Sequence, residues 1–418
     1  MSDRLPSYHS DGEFPNRLDP NHKPLKSSDE SPHPKLHLTT SESLQLPIAS
    51  DDPTDMSGSG YPKQTIPLAL PPKPSESLPK FPRVVLPEKY SLSNVAKMFD
   101  TPEDHIPIVS VIVAAPPGMQ ELKSVNAAQN LAYPKSHFEI IVARGKQPSV
   151  QRNRAVKEAK GSLIYFLDDD SEPYKENLIR GVELFMDEQV QVVGGPNLVP
   201  PDSNLLERSF GDAMGSWLAF GPSCARYRKV GKTRSSSEKE LILCNMMFRK
   251  TAFEKHGGFD EALYPNEENA LMDAIAGDGG KLMYDPEFVV NRRPRQSLCA
   301  FAKMLMNYGR GRAEQFRLHP TIGSAPNFVP PIFLLYLLAA PFLPLWGLWP
   351  LAAYAAVVIL QVLAIDLVFP LSLPRLAPLI LLSHVFYGAG FWKGLFTQLK
   401  PKNQPSNVSV DLERIGPA

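Results

Sequence analysis

The spacing of apolar residues changes character along the chain. Up to about residue 104 no apolar run keeps a helical or strand period, except that Tyr90 to Phe99 has the spacing of one short amphipathic helix. From Ile106 onward short apolar runs alternate with helical spacing. Ile108 to Ala115 predicts a strand closed by Pro116-Pro117-Gly118, Leu122 to Leu131 a helix, and Phe138 to Ala143 a second buried strand. A polar loop from Arg144 to Val150, a helix to about Lys160 and a third strand, Leu163 to Leu167, follow. Strand, helix, strand, helix, strand is the order of a parallel sheet with crossover helices. Beyond it the pattern predicts a helix over Glu176 to Asp187 and a strand over Val190 to Gly194. Glu240 to Phe248 reads as a strand leading into a helix, Ala270 to Ala276 as a helix and Leu282 to Tyr284 as a strand. A last polar-faced helix, Leu298 to Tyr308, is closed by Gly309-Arg310-Gly311-Arg312.

From Phe328 to Leu367 about forty residues carry a single charge, Asp366, and Pro341, Pro344, Gly347 and Pro350 punctuate the middle. Roughly twenty apolar residues cross a bilayer, so this stretch predicts a helical hairpin in a membrane. Leu376 to Phe396, which holds His384 and Lys393, is either a third span or an interfacial helix. Arg310, Arg312 and Arg317 precede the first span and, by the positive-inside rule, keep the preceding domain cytoplasmic. Lys393, Lys400 and Lys402 favour the same side, which three full spans would deny them, and the two topologies stay open.

Composition sharpens the boundaries. The front of the chain is rich in serine and holds many of the 43 prolines, too little apolar surface to offset its ordering entropy. The expected domains are a disordered segment over 1–104, an α/β domain over 105–320, a membrane domain over 328–396 and a polar tail over 397–418. No apolar secretory leader is expected at the N-terminus. Lysines and arginines balance aspartates and glutamates at 44 each, which disfavours nucleic acid as a partner. The three cysteines, Cys224, Cys244 and Cys299, have neither zinc-site nor disulfide spacing and suit a reducing compartment.

The third strand runs into Asp168-Asp169-Asp170, and ligands of parallel α/β sheets gather outside the carboxyl ends of the strands. Crowded carboxylates attract a hard cation such as Mg²⁺ or Mn²⁺, which bridges to a diphosphate; the competing reading is an acidic turn that caps the next helix. A second acid pair, Glu267-Glu268, opens a helix and reads either as a catalytic pair or as first-turn charges favoured by the helix dipole. The arginines at 293, 295, 310 and 312 supply guanidinium groups for phosphates, those at 310 and 312 serving equally as membrane-surface anchors.

These motifs together resemble a known family. V-S-V-I-V in the first strand, R-N-x-A-x-x-x-A-x-G from Arg152 to Gly161, F-L-D-D-D from Phe166, G-G-F-D-E from Gly257, E-E-N-A-L from Glu267, R-P-R-Q-S from Arg293 and Y-G-R-G-R from Tyr308 are similar to family 2 inverting glycosyltransferases of the GT-A fold. The join to the membrane segment resembles the branch that includes succinoglycan and exopolysaccharide transferases. The resemblance implies a Rossmann-like, mostly parallel sheet flanked by helices. It implies metal binding by Asp168 and Asp170, donor or phosphate contacts from Arg152, Asp168, Asp169, Arg293, Arg295, Arg310 and Arg312, and a general base at Glu268 preceded by Glu267. Where the family usually has an aspartate after the second strand, this chain reads Ala143-Arg144-Gly145; the motif of processive synthases is missing, which implies transfer of a single sugar.

The expected function is thus metal-dependent transfer of one sugar from a nucleotide-sugar donor to a lipid-linked or other glycan acceptor at the inner membrane, in exopolysaccharide or envelope synthesis. The alternative is a non-catalytic, membrane-tethered subunit that binds a nucleotide sugar or glycan.

Overall fold

The structure, a computed structural model, describes residues 91–263, 266–318, 320, 322–365, 373–399 and 408–416. The expectations for residues 1–90, and for Asp366, Lys400 and Lys402, lie outside the described residues. The strands are β1 (Val109–Ala115), β2 (Phe138–Arg144), β3 (Leu163–Asp168), β4 (Glu172–Pro173), β5 (Val190–Gly194), β6 (Asn197–Leu198), β7 (Arg234–Ser235), β8 (Asn245–Arg249), β9 (Lys281–Tyr284), β10 (Val290–Asn291) and β11 (Asp411–Ile415). The helices are α1 (Leu92–Met98), α2 (Lys123–Ala128), α3 (Pro148–Glu158), α4 (Asn177–Phe185), α5 (Leu205–Met214), α6 (Trp217–Phe220), α7 (Lys250–Lys255), α8 (Glu267–Gly277), α9 (Leu298–Leu318), α10 (Val329–Ala339), α11 (Trp349–Ile365) and α12 (Leu373–Phe396).

The main sheet runs β11-β2-β1-β3-β8-β5-β9-β7, with β2, β1 and β3 parallel and β8 antiparallel to both β3 and β5. It is a mixed α/β sheet covered by helices on both faces, as in GT-A proteins. Side chains alternate across a strand, so Val109, Val111 and Val113 of β1 pack with α1, α2 and α4, while Ile112 packs with α3, α7 and α8 on the other face. Gly161 lets the chain enter β3 against β1; a Cβ there would lie 2.5 Å from the Ser110 backbone nitrogen.

Several boundaries differ from the sequence expectation, among them the strand expected over Glu240 to Phe248, which is confined to β8, and the helix expected over Leu122 to Leu131, which is confined to α2. Residues 92–98 form α1, the short helix expected over Tyr90 to Phe99, capped by the Ser91 hydroxyl, and they bury Val95 and Ala96 in the core, so the packed chain begins ahead of residue 105. The tail expected to be only polar returns as β11 and pairs antiparallel with β2. There Arg414 reaches Glu139, a carboxylate with no exposed surface that also accepts from Ser110 Oγ (2.6 Å) and the Lys160 amide (2.7 Å). Finally, α9 continues through Gly309-Arg310-Gly311-Arg312 to Leu318. The glycines are contact points rather than stops: a Cβ on Gly309 would sit 2.0 Å from the Tyr387 carbonyl oxygen, and one on Gly390 2.0 Å from that of Met306.

Helices α9 and α12 therefore pack backbone to backbone, and α12 also meets α5, α6, α10 and α11. Three segments are long and apolar enough to cross a membrane, Gly323–Phe342, Leu345–Ile365 and Leu373–Phe396. The turn between α10 and α11 exposes Phe342, Leu345, Trp346 and Trp349, whereas α12 buries much of its surface against its neighbours.

Candidate active site

Asp168 ends β3, and the acid triplet turns directly into β4, with the Ser171 amide donating to the Asp168 carbonyl at 3.1 Å. The next helix starts only at Asn177 with Glu176 before it, so none of the three aspartates is a helix cap. Their position follows from a small second sheet in which β10 pairs antiparallel with β4 and parallel with β6. Asn291 lies opposite Glu172, which brings the following residue, Arg292, back alongside Asp170. Its Nε donates to Asp170 Oδ1 at 2.5 Å and its Nη1 lies 3.0 Å from Asp168 Oδ2.

A second cation approaches from α3. Arg152 Nη2 donates to Asp168 Oδ1 at 2.6 Å and Nη1 to Glu267 Oε1 at 3.5 Å, with the side chains of Arg152 and Glu267 only 6% and 2% exposed. The neighbouring Asn153 holds the loop ahead of α8, accepting from the Phe259 amide (2.9 Å) and donating to its carbonyl (2.8 Å). The adjacent Gly258 supplies the positive φ of +74° that this turn requires. The R-N pair thus ties the end of β3 to the start of α8, more than ninety residues away in sequence. Glu267 and Glu268 both lie in the first turn of α8; Glu267 is inside, and Glu268 is half-buried beside Asn269.

The electrostatics follow from this packing. Burial opposes ionisation of Asp168, but Arg292 and Arg152 outweigh it and hold the carboxyl below its usual range. Burial and then the like charges of Asp170 and Asp168 raise Asp169. Burial and then Glu268 raise Glu267, against the pull of Arg152. Burial pushes the Cys244 thiol up to about 12, so it stays protonated beside the acids.

The remaining arginines separate. Arg295 is exposed and close enough to Asp168 to lower its pKa. Arg293 turns away to α5, pairing with Glu207 (3.0 Å) and Asp202. Two residues along a helix are about 200° apart, so Arg310 and Arg312 cannot share a face. Arg312 Nη2 reaches Asn269 at 3.4 Å and its Nη1 reaches Gln315 at 3.1 Å, whereas Arg310 pairs along its own helix with Glu314 and lies against Gly394 of α12. Arg317 donates to the Gly394 and Thr397 carbonyls at the end of α12.

Sequence reasoning missed two members of the cluster. Arg292, adjacent to the arginine picked out at 293, is the residue that β10 sets on the acids. Arg226, in the irregular stretch after α6, donates to Asn269 Oδ1 at 2.8 Å and stands near Glu268 and Arg312. Neither Arg226 nor Arg312 is within ion-pair distance of a carboxylate among the described residues. A buried network also lay beyond the motifs: Tyr165 donates to Asn245 (2.8 Å), and Asn245 donates to the Phe288 carbonyl (2.6 Å), fixing the strand ends under the triplet.

The carboxylate oxygens expected to take Mg²⁺ or Mn²⁺ are thus held by guanidinium groups: both oxygens of Asp168 and one of Asp170. Among the described residues no three histidine, cysteine, aspartate or glutamate side chains are arranged to hold a metal ion. A divalent cation bridging Asp168 and Asp170 would therefore have to displace Arg292, while Asp170 Oδ2 stays outside these pairs.

Residues 122–257, spanning α2 to the end of α7 and so including the triplet and the R-N pair, match the family described as Glycosyl transferase family 2. The chain carries a family 2 glycosyltransferase domain. It is 27% identical to glycosyltransferase AglE of Haloferax volcanii over 22% of this chain and 39% of that one, so the match spans about two fifths of the relative's length. Among solved structures, the mannosyltransferase PcManGT of Pyrobaculum calidifontis, in complex with GDP-Man and Mn²⁺, aligns at 16% identity and a TM-score of 0.48, covering 73% of this chain and 93% of that one. S. aureus TarS 1-349 in complex with UDP aligns at 13% identity and a TM-score of 0.35, covering 73% and 96%. In this glycosyltransferase domain the family match lies on the elements that build the acid cluster and stops short of α8.

Proposed function

We propose that the protein transfers a single sugar from a nucleotide-sugar donor to an acceptor held at a membrane surface, with inversion at the anomeric carbon. The observation that carries this reading is Arg152, which bonds Asp168 at the end of β3 and Glu267 at the start of α8. Through it the donor side of the site and the half-buried Glu268 belong to one cluster.

In this reaction Glu268 takes the proton of the acceptor hydroxyl as its oxygen bonds the anomeric carbon. The bond from that carbon to the nucleoside diphosphate breaks, and the electron pair leaves with the diphosphate. Arg295 and Arg292 face that developing charge, since guanidinium groups bind phosphate oxygens in pairs. Glu267, buried on Arg152, positions Glu268 rather than exchanging protons itself. Arg312, with no carboxylate within ion-pair distance among the described residues, presents a cation near Glu268 suited to the phosphate of a lipid-linked acceptor, and Arg226, held by the Lys239 and Glu238 carbonyls and Asn269, adds positive charge behind it.

The acceptor class is supported by the apolar surface that continues from the site. Helix α9 carries Arg312 and packs on α12, and the exposed Leu205 and Trp217 of α5 and α6, which also contact α12, add apolar surface on that flank. We place the catalytic domain on the cytoplasmic side of the inner membrane, with α10 and α11 inserted and α12 lying along the surface.

A panel of nucleotide sugars incubated with the membrane-embedded protein and a polyprenyl-diphosphate glycan, read as nucleotide release, tests the proposal. One donor is expected to be turned over, and Glu268→Gln to reduce that turnover about 100-fold or more while donor binding persists. Binding of a donor without any turnover by the unaltered protein would instead select a binding subunit.

A further inference from the structure

The two arginines on the acid triplet have a consequence that a metal-binding assignment does not share. In a metal-bridged donor site a divalent ion joins an aspartate pair to the diphosphate and neutralises both. Here the position between Asp168 and Asp170 is filled by the Arg292 guanidinium, 3.0 Å from one carboxylate and 2.5 Å from the other. The remaining Asp168 oxygen is taken by Arg152 at 2.6 Å. The placement of Arg292 is built in, because its own amide donates to the Leu198 carbonyl at 2.9 Å and β10 is bonded on both edges. Its side chain is 23% exposed, so one side of the guanidinium borders the open face of the triplet. Arg295, three residues on, is exposed and acts on the same carboxylate, Asp168.

We infer that Arg292 is the resident cation of this site, standing where a divalent metal would otherwise bridge, and that the protein binds the diphosphate of its donor without a metal ion. The diphosphate oxygens meet the open side of the Arg292 guanidinium and the exposed Arg295, while Asp168 and Asp170 hold Arg292 in place. A divalent cation bridging these aspartates would displace Arg292 or sit against its positive charge, and both disfavour binding. This inference rests on the proposed reaction for the identity of the ligand, but not for the claim that the aspartates reject a metal.

The test uses the full chain in lipid nanodiscs, with Mn²⁺ alone as the first probe and UDP and GDP as the second. Electron paramagnetic resonance is expected to find Mn²⁺ free in the presence of the unaltered protein alone, and with nucleotide added to find the same Mn²⁺–nucleotide complex as in protein-free buffer. Calorimetry is expected to give the same nucleotide affinity in EDTA and in MnCl₂. Arg292→Met should weaken nucleotide binding at least about tenfold in EDTA, with part of the loss recovered in MnCl₂ as the freed aspartates take the metal. Arg292→Lys, which keeps a cation, should retain EDTA-insensitive binding and so separate lost charge from lost fold. Mn²⁺ bound by the unaltered protein and released in Asp170→Asn, or nucleotide binding abolished by EDTA, would overturn the inference. If neither nucleotide binds under any condition, the proposed function fails, while the Mn²⁺ measurement still judges Arg292.

Discussion

At the scale of single residues the site is organised by guanidinium groups more than by the acids that first draw the eye. Arg152 is nearly enclosed and bonds two carboxylates from separate elements, so its loss strands two charges in the interior. Arg152→Met is accordingly expected to cost about 3 kcal/mol of stability, since removing one partner of a buried ion pair leaves the other uncompensated. Thermal unfolding in detergent checks this, and a melting temperature equal to that of the unaltered protein would place Arg152 outside the frame of the site. Asp273, one turn along α8 from Asn269, behaves in the opposite sense. Burial and then the neighbouring Glu238 raise its carboxyl to about 6. A raised acid favours the folded state below its unfolded pKa of about 3.9, and that advantage is lost as pH climbs through the folded value. Asp273→Asn should therefore stabilise the protein at pH 8 and leave it unchanged at pH 4. Solvent reaches Asp273, so the gain is expected to stay below about 1 kcal/mol. A melting-temperature series against pH reads both limits, and an equal effect at the two ends would contradict the titration.

At the scale of elements the chain shows which physical signals are local and which are not. The strands β1, β2, β3 and β5, the acid triplet and the helix that opens with Glu267-Glu268 were legible because each is written in a contiguous run of apolar or acidic residues. Arg292 and Arg226 were not, because their roles come from pairing across β10 and from an irregular stretch whose path no periodicity specifies. The strand β11 was not legible as an apolar alternation, because Leu412 is exposed while the half-buried positions are Glu413 and Ile415. Helix α9 was cut short in the sequence reading because glycine lowers helix propensity, yet tertiary packing overrides that preference where two backbones touch. Gly309→Val puts two methyl groups and a Cβ where the Tyr387 carbonyl lies, so it should part α9 from α12 at a cost of about 3 kcal/mol or more. The expected reading is a lowered melting temperature with loss of sugar transfer, since Arg312 rides on α9. Full stability in this variant would mean that the two helices do not meet at Gly309.

At the scale of the whole molecule, β11 constrains how the apolar helices meet a membrane. The catalytic sheet lies before them in sequence, and β11, after them, hydrogen-bonds to β2 of that same sheet along five residue pairs from Asp411 to Ile415. A strand cannot join a sheet across a bilayer, so if these helices span a membrane, the pairing of β11 with β2 requires an even number of crossings between Leu318 and Asp411. Three full spans violate that parity; a hairpin of α10 and α11 with α12 along the surface satisfies it, and so does the Gly-lined seating of α12 on α9. The arrangement also explains why Arg317 closes the C-terminal end of α12, since a cation there satisfies exposed carbonyls on the same side as the catalytic domain. Sealed membrane vesicles and an impermeant maleimide decide the matter, because Cys299 is exposed on the catalytic side while Cys224 and Cys244 are buried. With Ser409→Cys added, positions 299 and 409 should label from the same side of the vesicle. Trp346→Cys, at the turn of the hairpin, should label from the opposite side or be shielded by lipid. Labelling of positions 299 and 409 from opposite sides would require an odd number of crossings, and with it a C-terminal strand detached from the sheet that Arg414 and Glu139 close.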